Sequence, residues 1–171
     1  LADAMGDATR AKRYRDLGDS WSSKPGDNVE TWTFTSTGHW GNGRYYTRIQ
    51  GAAAYDEIWN PNSETYIHLA NNAGTWRAKD ITYAGFLELV RFGVRPALDH
   101  AVVESIPEID ATIRYDLPGI GLGWKRYLHD RYNYVDDTGE QTDGMIWPFF
   151  TGERAHYELQ RALESGMGKG Q

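Results

Sequence analysis

The connections between the helical stretches are longer than the stretches themselves, and this limits what the chain can fold into. Helical periodicity is confined to four places. Asp7 reads as the N-cap of the first, with Ala8, Ala11, Tyr14, Leu17 and Trp21 recurring until Pro25-Gly26-Asp27-Asn28 ends it. Asp80 reads as the cap of a second, with Tyr83, Phe86, Leu87 and Val90 on one face and Gly93 and Pro96 as its stop. A short third spans Leu98 to Ser105 and ends at Ile106-Pro107. Thr151 caps the fourth, in which Ala155, Leu159, Ala162 and Leu163 share a face. Between the first two, Trp32 and Phe34 alternate with threonines, and Arg44 to Ile49 alternates again. Residues 30–50 therefore read as a two-stranded excursion around the loop from Gly38 to Gly43. Residues 51–79 are polar and turn-rich, and 111–147 are irregular, aromatic and punctuated by glycine. Loops beyond ~12–15 residues tend to be functional, so the helices read as scaffold and the loops as the builders of a site.

Length and charge narrow the function classes. The 171 residues fit one domain with a sizeable core. The net charge of −6 argues against a nucleic-acid binder, because affinity for phosphates rests on clustered Lys and Arg. No stretch approaches the ~20 apolar residues of a membrane span. The absence of cysteine removes disulfides, thiol nucleophiles and Cys-ligated zinc. Seven Trp and eleven Tyr supply flat amphipathic rings suited to sugars as well as to a core. The five histidines, His39, His68, His100, His129 and His156, show no metal-ligand spacing. There is no phosphate-cradling loop after Gly119-Ile120-Gly121-Leu122-Gly123 and no serine-hydrolase elbow. The acidic turn Asp136-Asp137-Thr138-Gly139-Glu140 has oxygen ligands for calcium but lacks the spacing of a calcium loop, so a solvated turn is the better reading.

Four motifs in order carry a family resemblance. Trp32-Thr33-Phe34-Thr35-Ser36-Thr37-Gly38 with Tyr45-Tyr46-Thr47-Arg48-Ile49 comes first, then the run from Phe86 to Gly93. Arg126-Tyr127 follows, and then the run from Trp147 to Leu159. Together they resemble glycoside hydrolase family 15, the glucoamylases and glucodextranases, in its bacterial and archaeal branch. The likeness runs from about Asp19 to Leu163. It implies a mainly α fold, a portion of an (α/α)6 barrel with a β-hairpin excursion at about 30–50. Twelve helices with their connections need about 200 residues, so 1–171 reads as one partial catalytic domain from the middle to late part of the barrel. The rest is expected from a further chain or from sequence beyond this segment.

The resemblance implies an inverting, exo-acting α-glucosidase that releases β-glucose from glucans or oligosaccharides, without a cofactor. Both catalytic carboxylates are expected outside this chain, because the family's Trp-Glu-Glu motif is missing and Gly139-Glu140-Gln141 precedes the Trp147 motif instead of following it. By the same resemblance Arg126, with Tyr127, reads a glucose in the first subsite, Trp147 lines the pocket, and Asp130 orients Arg126 or takes a hydroxyl. Each has a structural alternative. Arg126–Asp130 is also readable as a loop salt bridge, and Trp147 as a buried wedge at the helix entry. Glu153 reads as a helix-dipole acid paired with Arg154, and as the first suspect for a catalytic carboxylate only if the chain acts alone. The rival readings are a non-catalytic carbohydrate-binding protein and a structural remnant of the same fold. Linkage preference is open, and the branch's habit leans towards a secreted or periplasmic setting.

Overall fold

A computed structural model describes residues 2–23, 29–48, 60–132 and 144–166. The elements run α1 (Ala8–Ser23), α2 (Val29–Thr33), β1 (Phe34–Thr35), β2 (Tyr45–Tyr46), β3 (Tyr66–Leu69), β4 (Gly74–Arg77), α3 (Leu87–Arg91), α4 (His100–Thr112), β5 (Arg114–Leu117), β6 (Gly121–Trp124) and α5 (Pro148–Glu164). The fold is mainly α, with three two-stranded antiparallel sheets, β1-β2, β3-β4 and β5-β6, each pairing with its neighbour in sequence.

The first helix starts as expected, with the Asp7 carboxylate accepting the Arg10 N–H at 2.9 Å. The other boundaries differ. The residues read as the opening of a strand at Glu30 form the short α2, and pairing is limited to Phe34↔Tyr46 and Thr35↔Tyr45. Asp80 caps no long helix. It closes a 3-10 turn at Ala78–Asp80, and its carboxylate accepts from the His39 N–H at 3.1 Å. After it, Thr82 bridges Thr47 and Tyr83 bridges Tyr127, so this β-branched and aromatic stretch is extended, a 3-10 turn follows at Ala84–Phe86, and the α-helix begins only at Leu87. Asp99 caps α4, accepting from Ala101 N–H at 2.9 Å, and that helix, read from the sequence as ending at Ile106-Pro107, passes through Pro107 to Thr112. Proline removes one intrahelical bond, which would have gone to the carbonyl of Val103, a residue 43% exposed on the solvent side. α5 begins at Pro148 after an extended Trp147, three residues before Thr151, because proline at the first helical position loses nothing.

One core joins β2, α3, α4, β6 and α5. α4 turns Val102, Ser105 and Ile109 inward, and α5 turns Phe150, Glu153, Arg154 and Tyr157 inward, both at helical spacing. Tyr46 stacks on Phe86 at 4.8 Å between centroids, while Phe34 meets Tyr46 edge-on at 5.3 Å. The Tyr46 hydroxyl donates to Glu30 at 2.5 Å, and Arg95 donates to the same carboxylate from Nε at 2.8 Å and Nη2 at 2.5 Å. A smaller cluster of Leu69, Ala73, Ile81 and Tyr127 pins the β3-β4 hairpin beside it.

Candidate functional site

The site is built on the segment that leaves β6. Backbone bonds fasten it to the extended stretch before α3: Ala84 N–H donates to Arg126 C=O at 3.0 Å, and Leu128 N–H to Thr82 C=O at 3.0 Å. A turn then closes with Asp130 N–H on Tyr127 C=O at 3.1 Å, with His129 at φ 65°. The approach to α5 is tied to the same place, since Trp147 N–H donates to Trp124 C=O at 3.1 Å. Gly144, at φ 89°, lies against the Asp130 backbone where a Cβ would collide.

Arg126 and Asp130 form a bidentate pair. Nε donates to Oδ2 and Nη2 to Oδ1, both at 2.9 Å. Asp130 is fully buried, and its Oδ1 also accepts from Tyr132 N–H at 3.1 Å. Burial works against the Arg126 charge, but the hydrogen bonds and charge of Asp130 outweigh it and raise its pKa above the ordinary value. The guanidinium lies 5.0 Å from the Tyr127 ring, 5.1 Å from Trp147 and 5.8 Å from Tyr132. The loop salt bridge exists as read, and its arginine also lines a cavity.

That cavity, of about 510 Å³, is lined by Arg48, Asn71, Tyr83, Arg126, Tyr127 and Tyr132. Arg48 lies 4.7 Å from the Tyr127 ring. Burial raises the Tyr83 pKa, helped by Glu88 and opposed by Arg126 and Arg48, so its hydroxyl stays protonated. Fixed guanidinium donors and phenol hydroxyls beside flat rings suit a neutral, hydroxyl-rich ring such as a sugar. Four residues singled out in the sequence, Arg126, Tyr127, Asp130 and Trp147, thus come together. Trp147 is half-buried against Tyr132 at 5.3 Å and lies behind the cavity lining instead of in it, and its buried Nε1 has no partner among the described residues. Arg48 stands inside a recognised motif without a role, Tyr83 reads in the sequence only as a helix-face residue and Asn71 only as part of a turn-rich stretch, because only the tertiary fold brings them here.

Glu153 does not join this group. It is 4% exposed, accepts from Arg91 Nη1 at 2.5 Å, and lines a separate cavity with Phe149 and His156. Its expected pairing with Arg154 is corrected: Arg154 turns the other way, to Asp110 at 3.0 Å and to Glu158. Successive helical residues point about 100° apart, so neighbours in sequence take different partners. Among the described residues no group of three or more His, Asp or Glu could hold a metal, and no helix is long and apolar enough to cross a membrane. The acidic turn 136–140 and Gly139-Glu140-Gln141 lie outside the described residues.

No family model matches the chain. It is 34% identical over 162 residues to a glucoamylase of Clostridium sp. (strain G0005), covering 93% of this chain and 22% of that relative. A solved structure of a bacterial glucoamylase complexed with acarbose superposes with a TM-score of 0.81 at 34% identity, over 94% of this chain and 23% of that one. The chain therefore spans under a quarter of the length of the relatives it matches. The resemblance read from the motifs holds, and so does the fold expectation: the architecture is a portion of a glucoamylase-type (α/α)6 barrel.

Proposed function

From that likeness to part of a glucoamylase, we propose that the chain is the substrate-binding wall of an inverting, exo-acting α-glucosidase of glucoamylase or glucodextranase type. The observation that carries this reading is the Arg126–Asp130 fork set under a cavity of tyrosines and beside Trp147. Arg126 donates to sugar hydroxyls, Asp130 holds its plane, and Tyr127 packs on the apolar face of the ring. The acid–base pair comes from polypeptide outside these 171 residues. One carboxyl protonates the leaving oxygen, and a second, ~6.5–9.5 Å away, activates water on the opposite face to give β-glucose. Hydrolysis of this kind uses carboxyl groups and water, so no cofactor enters. The partners are an α-glucan or α-gluco-oligosaccharide and the remainder of the catalytic domain.

The test uses the polypeptide that joins this segment to the rest of the domain. Glucose release from maltose and isomaltose is measured for Arg126→Ala and Glu153→Gln. The first loses roughly a hundredfold or more in kcat/KM, as expected for two charge-assisted hydrogen bonds to substrate. The second stays within roughly tenfold, as a change at a structural ion pair does. The opposite pattern overturns these roles, and glucan binding without glucose release means a carbohydrate-binding protein.

A further inference from the structure

The cavity over Arg126 has a side supplied by the β3-β4 hairpin, which the motifs do not reach. Its turn, 70–73, closes with Ala73 N–H on Ala70 C=O at 3.3 Å. Asn71 and Asn72 both take the left-handed conformation, at φ 60° and 56°. Asparagine is among the few residues besides glycine that tolerate it. The turn is held to the Arg126 loop at two points. Arg131 Nη1 donates to Asn72 C=O at 3.1 Å, and Trp76 of β4 stacks on His129 with centroids 3.5 Å apart. Tyr127, next to Arg126, belongs to the same small apolar cluster as Leu69 and Ala73 at the hairpin's end. The turn and the fork are thus parts of one body, although more than fifty residues of sequence separate Asn71 from Arg126.

Of the two asparagines only Asn71 lines the cavity. Its chemistry differs from the rest of the lining. Arg48 and Arg126 only donate, the tyrosine hydroxyls donate and accept through a single oxygen, and a sugar hydroxyl both donates and accepts. Among the described residues Asn71 is the one side-chain amide in the lining, with an acceptor oxygen beside a donor nitrogen, the pattern that reads two neighbouring hydroxyls.

We propose that Asn71 is a specificity-determining residue of this site, its side-chain amide reading hydroxyls of the α-gluco-oligosaccharide held over Arg126. This rests on the substrate class proposed above. The hairpin tip is then a substrate contact, and variation in its length or in the residue at 71 retunes which oligosaccharide fits.

Glycine substitution isolates the amide, because glycine adopts a positive φ without strain. Asn71→Gly and Asn72→Gly are placed separately in the complete enzyme, with Arg126→Ala alongside, and kcat and KM are measured on maltose and isomaltose. Asn71→Gly raises KM roughly three- to tenfold on at least one of the two, the loss of a hydrogen bond to substrate, with the thermal midpoint held. Asn72→Gly, which shares the backbone change without lining the cavity, leaves KM within twofold of the parent, roughly the noise of a surface change. Equal effects of the two glycine variants, or a KM untouched by Asn71→Gly, overturn the proposal. Hydrolysis unimpaired in Arg126→Ala overturns instead the reading on which it rests.

Discussion

Replacing Asp130 with asparagine separates the two roles open to its ion pair, because shape is kept while charge and one acceptor are lost. In the parent, both carboxylate oxygens accept from Arg126 at 2.9 Å, and Oδ1 also accepts from Tyr132 N–H at 3.1 Å. With asparagine, one oxygen still serves Tyr132 and one guanidinium nitrogen. The amide NH2 then faces the other guanidinium N–H, donor against donor, and the fork turns away. A charge-assisted bond is worth about 1.5–3 kcal/mol. The Arg126 side chain is 33% exposed, so water replaces part of the loss and the lower end applies. A cost of about 1–2 kcal/mol in holding the guanidinium against substrate corresponds to roughly five- to thirtyfold in kcat/KM. The assay is initial-rate hydrolysis of maltose by the complete enzyme, with urea unfolding of the same samples. If Asp130→Asn lowers the unfolding midpoint yet leaves kcat/KM at the parent value, the pair only staples the loop, and its claim to orient Arg126 is wrong.

Two further outcomes follow from buried contacts. Burial pushes the Glu30 pKa up, but hydrogen bonds from Arg95 and Tyr46 prevail and hold it below the usual 4.5. A carboxylate depressed by folding contributes stability that is present above 4.5 and is lost as pH falls through the lower folded value. Urea midpoints should therefore drop on acidification below 4.5, and less steeply in Glu30→Gln; a variant with the parent's slope would refute the assignment. Gly144→Ala, at φ 89° against the Asp130 backbone, should cost roughly 1–3 kcal/mol of stability and displace the fork, so that KM rises with the fall in thermal midpoint; a silent substitution would show that this contact does not hold the turn.

The parts of the site legible in the sequence are those written locally. Arg126, Tyr127 and Asp130 lie within five residues, and Trp147 sits directly before a helix entry that proline announces. Two hairpins escaped notice for a physical reason. β3 alternates exposed Tyr66 and His68 with inward Ile67 and Leu69 but is only four residues long, and along its partner β4 three of four residues are exposed, so the hairpin's apolar signal is too short to stand out from a polar stretch. β5 alternates exposed and half-buried residues, Arg114-Tyr115-Asp116-Leu117, but its partner Gly121-Leu122-Gly123-Trp124 reads as a loop. Pro107 misled in the opposite sense: the cap at Asp99 and the buried Ile109 beyond the proline outweigh one missing bond. Asn71 was out of reach, since its meaning arises only when the hairpin is docked.

The spacing of Arg126 and Asp130 is that of two residues on one helical face, yet they lie in a turn. What fixes the pair is the residue midway between them. Leu128 packs against both apolar clusters, the large one under α3, α4 and α5 and the small one under the β3-β4 hairpin, while its N–H is bound to Thr82. With Leu128 drawn inward, the turn has no freedom to rotate as a unit, and the fork is aimed by a hydrophobic anchor instead of by helical geometry. A loop held this way can carry a polar group at each end without the cost of reordering it when substrate arrives, which is the condition for hydrogen bonds of modest strength to contribute fully to recognition.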